Sequence, residues 1–230
     1  MRATMMTLSA LDHPIWEALT SGHAGMARST GAARRYASLV SPLAALREPT
    51  PGAFSDLARL VAPEEHVGLV TAEPISVPAG WQIFRTRAIE HMVCTELTDD
   101  GASSPLELGP SDVPEMMALA AATEPGPFLS ETIRMGRYFG VRSEDGALMA
   151  MAGERLKLDG FTEISAVCTH PEFRGRGHAR RLVAFLVAQT LREGKVAFLH
   201  VKGENKAKVV YEKLGFHVRR ALELTVISPA

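Results

Sequence analysis

Cysteine is scarce in this chain, net charge is almost absent, aromatics are few, and no long apolar run occurs. Two cysteines, Cys94 and Cys168, are too few for a disulfide framework. Both lie in apolar runs, which reads as two buried thiols in a reducing compartment. A formal net charge of -1, from 25 Lys and Arg against 26 Asp and Glu, argues against a dedicated nucleic-acid binder. With only three tyrosines and no aromatics interleaved with basic residues, there is no stacking platform for a single strand. No stretch approaches the ~18 apolar residues of a membrane span. The start, MRATMMTLSALDHPIWEAL, is broken by Asp12, His13 and Pro14 and makes a poor signal peptide. His170, His178 and His200 lack metal-site spacing with either cysteine and read as surface or turn residues, so no metal is expected. These absences leave a cytoplasmic globular protein, whose 46% hydrophobic residues suffice for a core.

The turn-rich stretch TDDGASSP, residues 98–105, is the best boundary, giving regions 1–103 and 104–230. Prolines at 42, 49, 51, 63, 74 and 78 keep the elements of the first region short. There IWEAL reads as a short helix, VGLVTAE as a strand and WQIFRTRAIEHMVCTEL as a longer strand or strand pair. Trp16, Tyr36 and Trp81 read as core residues. The second region is clearer. Ser111 and Asp112 precede a helix, VPEMMALAAAT, with Pro114 in its first turn. EPGPF leads into a short helix, SETIRMG. A hairpin follows, with Asp145 and Gly146 supplying its turn, and then the strand FTEISAVCT. A helix spans 178–193, with apolar positions 179, 182, 183, 186, 190 and 191 at helical spacing and Gly194 as its stop. KVAFLHV is a buried strand, ENKAKVVYEKLG a short helix and FHVRRALELTVI a final strand. The order predicts a mixed α/β layer fold around a central sheet.

HPEFRGRGHARRL, residues 170–182, joins the strand FTEISAVCT to the following helix. It is neither a Walker loop, which needs Gly-Lys-Ser/Thr, nor a dinucleotide fingerprint, because Arg180 stands where the third glycine belongs. Pro171 ends the strand. Gly175 and Gly177 permit positive φ and close backbone approach, and a helix opens at His178. Arg174, Arg176, Arg180 and Arg181 crowd the helix end where cations oppose the dipole. Such a loop predicts a bound anion.

The pattern Arg174-x-x-Gly177-x-Ala179 after a strand resembles the acyl-CoA pyrophosphate loop of the GNAT superfamily, the N-acetyltransferases related to the yeast histone acetyltransferase. About 30 residues further on, NKAKVVYEKLGF resembles that superfamily's later helix with its tyrosine. Together the two motifs, with a strand between them, span roughly residues 106–227. The resemblance implies a GNAT fold: a mixed, mostly antiparallel sheet flanked by helices, with an N-terminal α/β region that is substrate-side or a degenerate copy of the fold. It also implies acetyl-CoA as acyl donor. The backbone of Val167, Cys168 and Thr169 would pair with the pantetheine arm, and Arg174, Gly175, Arg176, Gly177, His178 and Ala179 would wrap the pyrophosphate. Arg180 or Arg181 would reach the ribose phosphate. Asn205 is a further pantetheine contact, although it precedes Tyr211 by six residues where many relatives have seven, the offset that Glu204 occupies.

Acetyl transfer to an amine needs a neutral amine, a stabilised oxyanion and a proton for the departing thiolate. No covalent enzyme intermediate is required, which demotes Cys168 as a nucleophile. The superfamily's oxyanion donor is a backbone N–H, here near Val167. Tyr211 is the expected general acid, its phenol of pKa about 10 matched to a thiol near 8.5. Strand alternation puts Glu163, Ser165, Val167 and Thr169 on one face. Glu163, costly to bury without a role or a partner, is the expected base, and Glu154 is the next candidate. Phe128 is a candidate acceptor contact. The expected partner is a primary amine, in a small molecule or a peptide, with neither nucleic acid nor membrane, and a homodimer is compatible with this reading. The rival expectation is a non-catalytic acyl-CoA-binding module.

Overall fold

The computed structural model describes residues 8–98 and 104–230. The amino-terminal half contributes α1 (Pro14–Thr20), β1 (Arg28–Thr30), β2 (Ala33–Arg35), β3 (Leu43–Leu46), α2 (Pro51–Ala58), β4 (Val67–Thr71) and β5 (Trp81–Cys94). The carboxy-terminal half contributes β6 (Leu106–Leu108), α3 (Val113–Thr123), β7 (Tyr138–Arg142), β8 (Leu148–Leu158), β9 (Phe161–Thr169), α4 (His178–Arg192), β10 (Val196–Val201), α5 (Lys208–Lys213) and β11 (His217–Pro229). Among the described residues the strands form one sheet in the order β1-β2-β3-β4-β11-β5-β10-β9-β8-β7-β6. Two neighbouring pairs, β3 with β4 and β9 with β10, are parallel, and the others are antiparallel. The expected mixed, mostly antiparallel sheet flanked by helices is the observed one.

Each parallel pair needs a crossover, because parallel strands cannot be joined by a tight turn. Helix α2 makes the first crossover and α4 the second. Of the α4 stripe read from the sequence, Leu182, Val183, Leu186 and Thr190 are buried while Ala179 and Leu191 are half-buried, and the buried face also takes in Val187. Leu182, Val183, Leu186 and Val187 share a cluster with Ile164 of β9 and Leu199 of β10. Gly194, at φ 73°, ends the helix as expected. On the other face of the sheet, α1 packs Ile15, Ala18 and Leu19 against Phe161 and Phe198, while α3 packs Met116 and Leu119 near Cys168.

Some expectations change. WQIFRTRAIEHMVC is one strand of 14 residues rather than a pair. SETIRMG shortens to a 3-10 turn at Thr132–Met135, and the helix carrying Tyr211 has only six residues. Asp112 does not cap α3. Its carboxylate accepts from the Gly109 N–H at 2.7 Å and pairs with Arg142 at 2.6 Å. Strands β1 to β3 and helix α2 were not legible in the sequence. Most of the boundary at 98–105, and the first seven residues of the chain, lie outside the described residues.

The halves are interlocked through the sheet. Strand β5 of the first half lies between β10 and β11 of the second, pairing His91 with His200 on one side and Ala221 with Glu90 on the other. Strand β11 in turn pairs with β4.

Candidate active site

The parallel ladder between β9 and β10 is short. It runs Val196↔Phe161, Ala197↔Thr162 and Phe198↔Glu163, and there it stops. Beyond this rung both strands continue, β9 to Thr169 and β10 to Val201, without pairing to each other. The edge of β9 that faces the gap therefore offers unpaired backbone groups to an extended ligand.

On its other edge β9 carries a bulge. The ladder steps from Gly153↔Ser165 to Met151↔Cys168, three residues of β9 against two of β8, and Ala166 within it has φ 52°. A left-handed alanine is strained, and such strain persists only where the surrounding structure enforces it. The bulge corrects the expected alternation. Ile164 and Val167 both pack on the α4 face, whereas Ala166 and Cys168 pack on the α3 face. Glu163 and Val167 therefore lie on opposite faces, although Val167 and the backbone flanking it remain beside the gap.

The loop after β9 has the form that its sequence suggests. A 3-10 turn at Pro171–Phe173 leads to Gly175 at φ 77° and Gly177 at φ 75°, and Gly177 opens α4. Both glycines hold a left-handed conformation that other residues adopt at a cost of roughly 1–2 kcal/mol. Among the described residues, the backbone N–H groups of Gly175, Arg176, Gly177, His178 and Ala179 donate to no acceptor. Arg174 reaches back to the Thr169 carbonyl at 3.4 Å, and the Arg176 guanidinium lies 5.3 Å from the Phe173 ring. Exposed N–H groups at a helix start, ringed by arginines, fit the diphosphate of an acyl-CoA.

Tyr211, on α5, belongs to the buried cluster on the α4 face, with Leu182, Leu214 and Phe216. Its ring lies 6.0 Å from that of Phe216. Burial pushes its phenol up to about 12, so it stays protonated through any ordinary assay pH. Its hydroxyl makes no hydrogen bond among the described residues. Asn205 is exposed, and its side-chain oxygen accepts from the Ala207 N–H at 2.9 Å, starting α5. Cys168 is a free, buried cysteine whose thiol is pushed up to about 11 by burial, unsuited to nucleophilic attack.

Glu163 is fully buried. Arg155 of β8 grips it with a fork, Nε to Oε2 at 2.8 Å and Nη2 to Oε1 at 2.6 Å. His200 Nδ1 lies 2.7 Å from Oε1, and the Leu156 N–H donates to Oε2 at 3.3 Å. Burial alone would raise its pKa. The Arg155 charge and hydrogen bonds, with His200, outweigh that and hold the carboxyl well below the usual range. Glu154, the second candidate, is bound by Arg137 and Lys157 in an ion pair away from Glu163. Phe128 packs edge-on against Tyr138, with ring centroids 5.4 Å apart.

Two histidines join this cluster that sequence reasoning passed over. The His200 side chain is only 7% exposed rather than at the surface and His178 is buried, whereas His170 is half-buried at the turn after β9. His91 is fully buried, its ring 4.8 Å from that of His200. His200 Nε2 and both ring nitrogens of His91 are buried without a partner among the described residues. An unpaired buried polar group costs about 1–3 kcal/mol, so three in one edge-to-face pair mark a site. The signal was there: each histidine is the one polar residue in a short apolar run, LHV and HMVC.

A sheet whose parallel strands part beside a left-handed bulge and a glycine–arginine helix start defines an acyltransferase. Residues 138–224 match the family model for FR47-like protein. A GNAT-family protein from Novosphingobium aromaticivorans is 38% identical, with 96% of this chain and 98% of that chain covered and a TM-score of 0.86. The chain belongs to the GNAT family of acetyltransferases, whose chemistry is acyl transfer from acetyl-CoA. A GCN5-related N-acetyltransferase from Kribbella flavida, 18% identical with 99% and 97% covered, shares the fold at a TM-score of 0.63. So does a GCN5-related N-acetyltransferase-like protein from Streptococcus suis, 13% identical with 97% of each chain covered and a TM-score of 0.60. No curated protein matches the sequence. Among the described residues, no helix is long and apolar enough to cross a membrane, and no cluster of three His, Cys, Asp or Glu could hold a metal.

Proposed function

We propose that the protein transfers the acetyl group of acetyl-CoA directly to a primary amine. The observation that carries this reading is the parting of β9 and β10 after Glu163↔Phe198, beside the unpaired N–H groups of residues 175–179. Acetyl-CoA supplies an activated thioester. The 174–179 loop binds its diphosphate, and the backbone of Val167, Cys168 and Thr169 aligns its pantetheine arm like an added strand. Asn205 flanks that arm from the start of α5. The Val167 N–H, turned by the bulge, faces the carbonyl oxygen as negative charge develops there. Tyr211 holds the proton for the departing sulfur. Glu163 organises the proton-accepting side from its buried ion pair.

The first half we read as a degenerate copy of the second, serving the acceptor side. The crossover β3–α2–β4 followed by β5 repeats the order of β9–α4–β10 followed by β11, and each copy's last strand pairs with the other's crossover. The copy has no diphosphate cradle. Thr50 itself caps α2 by accepting from the Ala53 N–H, and Pro51 has no N–H to offer. A groove of about 220 Å³ at the ends of β3 and β4, lined by residues including Trp16, Arg47, Val70 and Glu73, supports its service to an acceptor.

Titration calorimetry with acetyl-CoA tests the donor. Thiol release across a panel of polyamines, amino acids, amino-acid amides and short peptides tests the transfer. Binding without thiol release for any amine would favour the non-catalytic module, and absence of binding would end both readings.

A further inference from the structure

We propose that His200, held by Glu163, accepts the proton of the attacking amine, on the face of the sheet opposite Tyr211. The inference rests on the acetyltransfer reading and deepens it. The carboxylate of Glu163 has no acceptor position left for an amine, because each oxygen already holds two contacts, Oε1 with Arg155 Nη2 and His200 Nδ1 and Oε2 with Arg155 Nε and the Leu156 N–H. Its one neighbour with a spare basic atom is His200, whose Nε2 has no partner among the described residues. His200 also stands two residues beyond the last rung, Phe198↔Glu163, on the part of β10 that has left β9.

The two faces of the sheet separate the two protons. Ala197, Leu199 and Val201 of β10 point into the cluster that holds Tyr211. Phe198 points the other way, into the α1 cluster, and His200 lies on its side, with their ring centroids 5.7 Å apart. An acyl carbon lying in the gap is thus approached by an amine from the His200 face, while its sulfur leaves toward Tyr211. The C–N bond forms as the C–S bond breaks. The proton shed by the amine nitrogen goes to His200 Nε2, and the Tyr211 hydroxyl proton goes to the thiolate. The amine and thioester become an amide and a thiol, and solvent returns a proton to Tyr211 and removes one from His200.

The surroundings suit that role. A carboxylate at Nδ1 fixes the tautomer that leaves Nε2 basic and stabilises the imidazolium that forms, the logic of an Asp–His pair in a hydrolase. The charged and titratable groups around His200 are Glu163 of β9, Arg155 of β8 behind it and His91 of β5. One layer further lie Tyr36 and the Asp12–Arg219 ion pair.

The diagnostic variant is His200→Asn in the full chain, because the asparagine amide nitrogen replaces Nδ1 as donor to Glu163 and nothing replaces Nε2. Acetyl-CoA is the donor. The acceptors are hydroxylamine, already unprotonated at neutral pH, and the most active primary amine of the panel. The expected result is an unchanged acetyl-CoA affinity and a loss of about 100-fold in kcat/KM for the primary amine. The loss for hydroxylamine is expected to be about tenfold smaller. Nitrogen NMR of the isotope-labelled wild-type chain should show neutral His200 protonated at Nδ1 and bare at Nε2. A variant that keeps its rate, or a neutral His200 carrying its proton on Nε2, would overturn the proposal. Failure of the wild-type chain to bind acetyl-CoA would instead strike the acetyltransfer reading.

Discussion

Glu163 and His200 meet at 2.7 Å just where the parallel strands that carry them separate. The contact exists only because β9 and β10 are paired as far as Phe198↔Glu163 and no further. One rung fewer would leave Glu163 in the open gap, and two rungs more would draw His200 into the ladder. The same carboxylate anchors Arg155, so the ion pair links β8, β9 and β10 at the mouth of the site.

That anchoring makes Glu163→Gln a stability variant before it is an activity variant. It leaves the Arg155 charge in a buried site without its counterion, a loss of about 3–5 kcal/mol. At this chain length each kcal/mol moves Tm by roughly 2–4 °C, so thermal unfolding should fall by about 6 °C or more. The pH dependence has a definite sign. A carboxyl depressed in the folded state contributes stability above its unfolded value, near 4.5, and that contribution fades as pH falls toward its folded value. Wild-type Tm should therefore decline below about pH 4.5, and the variant's decline over the same window should be shallower.

Tyr211→Phe separates chemistry from packing. The ring stays in its cluster and the hydroxyl has no hydrogen bond to lose, so Tm should shift by no more than about 2 °C. Acetyl-CoA affinity should hold, while kcat falls about 100-fold or more. A variant with full turnover would remove Tyr211 from the reaction. Because the phenol is pushed up to about 12, no alkaline limb below pH 9 or so should trace to it.

Gly177→Ala probes the anion cradle. The added Cβ meets open space, so the cost is conformational rather than steric. At φ 75° an alanine is strained by roughly 1–2 kcal/mol. The loop is exposed and can relax when no anion holds it. The strain should then appear as about a tenfold weaker Kd for acetyl-CoA by calorimetry, with Tm almost unchanged.

The second half of this chain was legible because its elements are long and punctuated: α4 has a clear apolar stripe between Gly177 and Gly194, and Asp145 and Gly146 mark the hairpin. The first half resisted because β1, β2 and β3 have only three or four residues each, too few for a period to show. Within the site, the glycine–arginine loop could be read locally, since its chemistry lies in consecutive residues. The bulge could not, because nothing in the letters ISAVC announces that Ala166 takes a left-handed conformation. The pairing of His91 with His200 is more distant still. It depends on β5 entering the sheet beside β10, a long-range choice that no local pattern encodes.

That choice yields the last prediction. The boundary near residue 103 suggests that residues 104–230 could stand alone, yet their sheet is incomplete without β5. In the whole chain β5 pairs with β11 along almost its full length and with β10 over residues 90–94. Removing it would expose the inner edges of β10 and β11, together with the core side chains that Met92 and Cys94 cover. Unpaired edges of that kind favour aggregation over folding. Expressed alone, residues 104–230 should be insoluble or lack a cooperative thermal transition. Co-expression with residues 1–103 should restore a soluble complex that binds acetyl-CoA. If the fragment instead unfolds cooperatively and binds acetyl-CoA unaided, the exchanged strand is dispensable, and the two halves are separate folding units despite their shared sheet.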